Sequence, residues 1–236
     1  MDDCAWTLES LTSMISIIIP VLNEERALPA TLQHVFSQAG EFEVIVVDGG
    51  STDNTLEIVS QESRIQLRKA ASGRASQMNE GARHATGDWL LLLHADTLLP
   101  ENALKSIEAL PADILAGGFK HRFSGQAWSL RLISWLHNFR CRCTRVFYGD
   151  QAMFVRRRLF NELGMFPDEP ILEDLLFSEK LVKVTQPVIL DSYVITESRK
   201  FEQQGVSLSF WRVLLILTSH TLHLPIPAKT FFSNIR

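Results

Sequence analysis

Apolar positions fall in short blocks between polar turns, and the blocks change period along the chain. Ile15-Ser16-Ile17-Ile18-Ile19-Pro20 is mostly β-branched and is stopped by proline, the pattern of a buried strand. Leu28, Leu32, Val35 and Phe36 then recur at helical spacing, with Asn23 placed to cap that helix. Val44–Val47 predicts a second strand, running into the turn Asp48-Gly49-Gly50-Ser51-Thr52-Asp53; Ser51 or Asp53 can cap a helix to about Ser60. Ile65–Arg68 predicts a third strand, Ala75–Ala85 a helix of small residues, and Trp89–Leu93 a fourth strand ending at His94-Ala95-Asp96. After Pro100 the alternation loosens. Ala116–Phe119 and Gln151–Val155 read as short strands, and residues 126–147, Glu173–Val182 and Gly205 to about Leu222 as helices.

Strand alternating with helix over short links predicts an α/β domain, a mostly parallel Rossmann-like sheet with helices on both faces. The chain divides into a loose leader (1–13), one domain (14–204) and a helical appendage (205–236). In such sheets ligands bind beyond the carboxyl ends of the strands, where Asp48 and Asp96 both fall.

Composition narrows the class. With 236 residues, 46% hydrophobic and a net charge of -4, the chain can bury a core and carries no basic excess that would point to nucleic acid. Three cysteines are no disulfide framework and suggest a reducing compartment. Cys141 and Cys143 lack a second pair at zinc spacing and read as packing thiols. The acidic start does not look like a secretory signal. No run reaches the roughly 18 apolar residues of a membrane span. These features predict a cytoplasmic protein, soluble or peripheral on the inner membrane face.

Chemistry concentrates at six places. Asp48 beside two glycines can accept from a base or ribose, or simply shape a turn. Gly73-Arg74 at a helix start suits a diphosphate, or is a loop with a solvated arginine. His94 and Asp96, one residue apart on an extended segment, point to one side; Asp96 can hold a hard cation and His94 can ligate or orient it. Glu173-Asp174 offers a base for a hydroxyl acceptor, or acids stabilised at a helix start. Asp150 and Gln151 could touch an acceptor or metal, and Arg199 a leaving diphosphate.

Taken in order, Ile17-Ile18-Ile19-Pro20-Val21-Leu22-Asn23-Glu24, Val47–Asp53, His94-Ala95-Asp96 and Glu173-Asp174 resemble the family 2 glycosyltransferases with the GT-A fold, over about residues 14 to 200. Gly73-Arg74-Ala75, Gln77-Met78-Asn79, His94-Ala95-Asp96-Thr97 and Tyr148-Gly149-Asp150-Gln151 resemble a bacterial subgroup labelled "transferase 2, rSAM/selenodomain-associated", a label of gene neighbourhood. The resemblance implies an inverting transfer from a nucleoside-diphosphate sugar to a hydroxyl acceptor, which in many relatives is lipid-linked. Pro20, Asn23, Glu24, Asp48, Ser51, Asp53, Gly73, Arg74 and Asn79 would lie on the nucleotide side. Asp96, with His94, would bind Mn²⁺ or Mg²⁺. Asp174, with Glu173 beside it, would be the base. His94 replaces the first acid of the family's Asp-X-Asp motif, and histidine suits Mg²⁺ less well.

Two other functions fit parts of the pattern. A sugar-phosphate nucleotidyltransferase would need a basic glycine-rich loop after the first strand, where this chain has Asn23-Glu24-Glu25. A nucleotide-binding regulator on a degenerate transferase scaffold would explain His94. Trp211, Arg212, Leu214, Leu215 and Leu217 in the last helix suit a membrane surface, a homodimer interface or packing on the domain.

Overall fold

A computed structural model describes residues 14–169, 171–203, 205 and 215. The leader and nearly all of the predicted appendage lie outside the described residues.

The first half folds as its pattern predicts. Strands β1 (Ile15–Val21), β2 (Phe42–Asp48), β3 (Ile65–Lys69) and β4 (Trp89–Leu92) are parallel, in spatial order β3-β2-β1-β4. Helices α1 (Leu28–Phe36), α2 (Thr55–Ser60) and α3 (Arg74–His84) connect them. Every residue of β1 is buried, which is why its sequence is a continuous apolar run rather than an alternating one. Its side chains still divide by parity. Ile15, Ile17 and Ile19 pack with Leu28, Leu32 and Val35 of α1, whereas Ile18 packs with Ala75, Met78 and Ala82 of α3. The small residues of α3 let it lie close on the sheet: a Cβ at Gly81 would stand 2.4 Å from Ile18 Cγ2.

The second half departs from a simple parallel continuation. Further elements are β5 (Thr97–Leu98), α4 (Ala103–Glu108), β6 (Ala116–Phe123), α5 (Trp128–Thr144), β7 (Phe154–Arg156), α6 (Arg157–Glu162), α7 (Glu173–Leu181), β8 (Val188–Thr196) and α8 (Arg199–Gln203). The sheet continues β4-β7-β6-β8-β5; β7 is antiparallel to both neighbours, β8 is parallel to β6, and β5 is antiparallel to β8. The sheet is therefore mixed, with its parallel part at one side.

Three differences have local causes. Gln151 opens no strand, because Gly149–Gln151 forms a 3₁₀ turn before β7 begins at Phe154. Strand β8 breaks the alternation expected of a strand, and its register against β6 shifts between Phe119 and Lys120. Asn23 does not cap α1, which starts at Leu28 with no side-chain cap; Asn23 instead has φ 56° and serves a loop contact described below. Of the cysteines, Cys141 is buried and Cys143 exposed, both free thiols. Among the described residues no helix is long and apolar enough to cross a membrane.

Candidate functional site

At the ends of β1 and β2 the chain builds a polar floor. Asp48, 2% exposed, closes β2 and accepts from the N–H groups of Gly50 (3.1 Å) and Ser51 (2.9 Å). Gly49 N–H donates to the Val21 carbonyl at 2.9 Å. Gln77, buried on α3, donates to the carbonyls of both Val21 and Val47 at 2.8 Å, tying the two strand ends to the helix. Pro20 lies in β1 opposite Val47.

The loop after β1 is laced to the loop after β2. Asn23 Oδ1 accepts from Thr52 N–H (2.8 Å) and Asp53 N–H (3.3 Å), and Ser51 Oγ accepts from Asn23 N–H (3.0 Å). Glu24 N–H donates to Thr55 Oγ1 at 2.9 Å, and Asp53 accepts from Glu25 N–H at 3.1 Å. Asp53 also accepts from Thr55 N–H at 3.0 Å, which starts α2. Asn23, Ser51 and Asp53 thus bond to each other's loops and fix the floor.

Beyond the ends of β4, α3 and α7 the acids converge. Arg74, the first residue of α3 after Gly73, lies with Nε 3.4 Å from Glu173 Oε1 at the start of α7. Partial burial would lower the guanidinium pKa of this half-exposed side chain, but the carboxylates of Glu173, Asp174, Asp96 and Asp150 outweigh it and hold it above its ordinary value. His94 occupies the same cluster. Burial, reinforced by Arg74, pushes its pKa down against the opposing pull of Asp96, Asp150 and Asp174, so the ring is neutral at pH 7. Asp174 accepts from Gly149 N–H (2.6 Å) and Leu175 N–H (2.7 Å). Gly149 has no room for a side chain: its Cβ would stand 2.4 Å from His94 Nε2 and 3.3 Å from Asp174 Oδ2. The stretches His94–Asp96, Gly149–Asp150 and Glu173–Asp174 therefore meet in space.

Behind Asp150 is a group the sequence reading missed. His121 on β6 and His137 on α5 place Nε2 3.6 and 3.5 Å from its two carboxylate oxygens. Burial pushes the His137 pKa down to about 4 despite Asp150, so at neutral pH this contact joins an anion to a neutral ring. Burial would raise the Asp150 pKa, but His137, His121, His94 and Arg140 hold it below its ordinary value. Arg140 also lies over the Tyr148 ring, 3.7 Å from its centroid. The only sequence signal was a histidine on each of two elements, with nothing to show that they would meet.

Four expected site residues have other work. Both ends of the Asn79 amide bond the Phe166 backbone, at 2.9 and 3.0 Å, so Asn79 anchors the 160–169 segment rather than facing a nucleotide. Gln151 is fully buried; it donates to the Phe119 carbonyl (3.2 Å) and accepts from Tyr148 N–H (3.2 Å), so it shapes the 3₁₀ turn rather than touching an acceptor. Glu173, 5% exposed, turns to Arg74 and away from solvent, so it positions that arginine rather than acting beside Asp174 as a base. Arg199 pairs with Glu197, whose N–H donates to the Asp96 carbonyl at 3.0 Å, so it does sit near the Asp96 loop.

Comparison with known proteins decides the family. A family model described as "Glycosyl transferase family 2" matches residues 16–164. The chain belongs to glycosyltransferase family 2. A "PGL/p-HBAD biosynthesis glycosyltransferase" of Mycobacterium bovis is 37% identical over 170 residues, covering 65% of this chain and 63% of that one. Glycosyltransferase GlyG of Streptococcus pneumoniae is 27% identical over 120 residues, covering 46% and 40%. The chain thus spans less than two thirds of these relatives' lengths. Among solved structures, S. aureus TarS 1-349 in complex with UDP superposes with a TM-score of 0.65 at 22% identity, over 78% of this chain and 60% of that one. The mannosyltransferase PcManGT from Pyrobaculum calidifontis, in complex with GDP-Man and Mn²⁺, gives 0.61 at 21%, over 77% and 56%. The fold is GT-A.

Two outcomes follow from this geometry. Gly149→Ala drives a methyl into His94 and is expected to cost about 1–3 kcal/mol, read as a lower urea midpoint; an unchanged midpoint contradicts the packing. His137 has a folded pKa below its unfolded value of about 6.5, so its stabilisation is present above that pH and is lost as pH falls through about 4. His137→Gln should flatten the fall in melting temperature between pH 6.5 and 4; an equally steep fall contradicts the assignment.

Proposed function

We propose that this protein is an inverting glycosyltransferase that takes a sugar from a nucleoside diphosphate and gives it to a hydroxyl acceptor. The carrying observation is the convergence of Asp96, Asp150, Asp174 and Glu173 on Arg74 beyond the strand ends. Four carboxylates with one guanidinium repel an anionic diphosphate unless another positive charge enters with it. Asp96 and His94 supply one hard oxygen and one neutral imidazole, a donor set that fits a divalent cation completed by phosphate oxygens. Among the described residues no group of three or more acids, histidines and cysteines is arranged to hold a metal ion. A neutral imidazole suits Mn²⁺ better than Mg²⁺. When bound, the cation offsets charge on the leaving diphosphate.

The chain's own residues supply the rest. Asp48 and the laced loops form the base and ribose side. Arg74, held by Glu173, faces the diphosphate. Asp174 is fixed by two backbone N–H donors, one on each oxygen, and each oxygen keeps a further lone pair for a hydroxyl proton. Asp150 stands beside it on the acceptor side. The acidic loop Asn23-Glu24-Glu25 argues against a sugar-phosphate nucleotidyltransferase. A regulator would have no use for a base fixed in this way. The relatives' names and the bound donors of the fold neighbours support the donor class; a lipid-linked acceptor remains the class to try first.

Asp174→Asn is expected to keep nucleoside-diphosphate affinity within about twofold while transfer falls by about 10²–10⁴, measured with donor-panel turnover beside equilibrium binding. Retained transfer in that variant would remove Asp174 from the base role.

A further inference from the structure

Helix α5 is apolar on two faces. Leu130, Ser134 and Cys141 face inward and are buried, and His137 on the same side reaches Asp150. The opposite face carries Trp128, Leu132, Trp135, Leu136 and Phe139, exposed by 38% at Leu136 to 76% at Trp128. At about 100° per residue these five fall within an arc of about 100°. The Trp135 and Phe139 rings stack with centroids 5.6 Å apart. Large exposed apolar side chains packed into one stripe mark a contact surface, unlike the scattered apolar residues of an ordinary exterior.

Charge selects what it contacts. From Ile114 to Gly149 the sequence has six basic residues (Lys120, Arg122, Arg131, Arg140, Arg142 and Arg145) and no acid, in a chain whose net charge is -4. Arg131, Arg142 and Arg145 are exposed. Two acids from elsewhere come near it: Asp191 pairs with Lys120 and lies within electrostatic reach of Arg142, and Glu202 sets its carboxylate beside Gly125, ahead of α5 and at the far end from Arg140, Arg142 and Arg145. A second copy docked through this face would set the same basic surface against itself. The segment Val206–Leu224 is apolar but contains Arg212 and no acid, so it offers no complement either. An anionic lipid surface offers both acyl boundary and negative charge.

We propose that the outer face of α5 docks this protein on an anionic lipid bilayer, with Trp128, Trp135 and Phe139 entering the headgroup boundary and the arginines facing phosphate. Docked this way, Asp150 lies about one helix diameter, roughly 10–12 Å, from the lipid surface. An acceptor carried on a lipid could then reach Asp174 without leaving the membrane. That consequence rests on the transferase reading; the docking itself does not, and vesicle binding and sugar transfer can each fail alone.

The test is co-sedimentation of the full chain with vesicles of equal parts phosphatidylglycerol and phosphatidylcholine, against phosphatidylcholine alone, at low and high salt. Binding to the anionic vesicles is expected, weakened by salt, and reduced about tenfold by Trp135→Ser with Phe139→Ser and severalfold by Arg131→Ala with Arg142→Ala. Both pairs are exposed, so the melting temperature should hold. Brominated acyl chains should quench tryptophan fluorescence less in the Trp135→Ser variant. Equal binding to neutral vesicles, or full binding by both double variants, overturns the proposal. So does a wild-type dimer that the Trp135→Ser, Phe139→Ser variant converts to monomer, or loss of α5 hydrogen-exchange protection on deleting residues 206–236.

Discussion

Arg74 and the carboxylates around it set the terms for the rest of the site. A guanidinium at the start of α3, 3.4 Å from a buried glutamate at the start of α7, joins two helices that belong to the two halves of the sheet. Removing the arginine would leave the buried Glu173 carboxylate uncompensated, an outcome that costs far more than the pair contributes. On the proposed function, the cluster would take a diphosphate and a cation together. The carboxylates are too many for one arginine, and the diphosphate is too negative for the carboxylates. A divalent ion between them would offset both.

The fold delivers these groups to one place by two different routes. On the parallel side, β1, β2 and β4 all end in the same direction, so Asp48 and the segment from His94 to Asp96 arrive together by simple repetition of strand and helix. On the other side the chain returns through antiparallel β7, and a 3₁₀ turn presents Gly149 and Asp150 to His94 and Asp174. Gly149 is the contact where the two routes touch, and its lack of a side chain is what lets them.

The first route was legible in the sequence because each apolar run stops at a polar group. Four leucines leading into His94 state both that the strand is buried and where it ends. The second route was not. His121, His137 and Asp150 lie far apart in sequence, and no local periodicity brings them together; only the antiparallel return does. Strand β8 was missed because its burial does not alternate cleanly and its register shifts. Asn79 and Gln151 were read as site residues because polar side chains near motifs look available for ligands. Both are buried and bond backbone groups that would otherwise be unsatisfied. Gln77 was read as part of a helix and of a motif, with no role of its own, although it holds the floor of the site. The exposed stripe on α5 looked like ordinary mixed helix, since only the packed structure shows which of its two apolar faces is covered.

On the proposed function, the carboxylates accept a nucleoside diphosphate only with a divalent cation held at Asp96. Calorimetric titration of uridine and guanosine diphosphates measures this directly, in Mn²⁺ and in chelator, for the wild type and for Asp96→Ala. Mn²⁺ is expected to raise wild-type affinity for one of the two by at least about tenfold, and Asp96→Ala to remove most of that gain. Equal affinity in Mn²⁺ and in chelator for the wild type, with measurable binding in both, would contradict it.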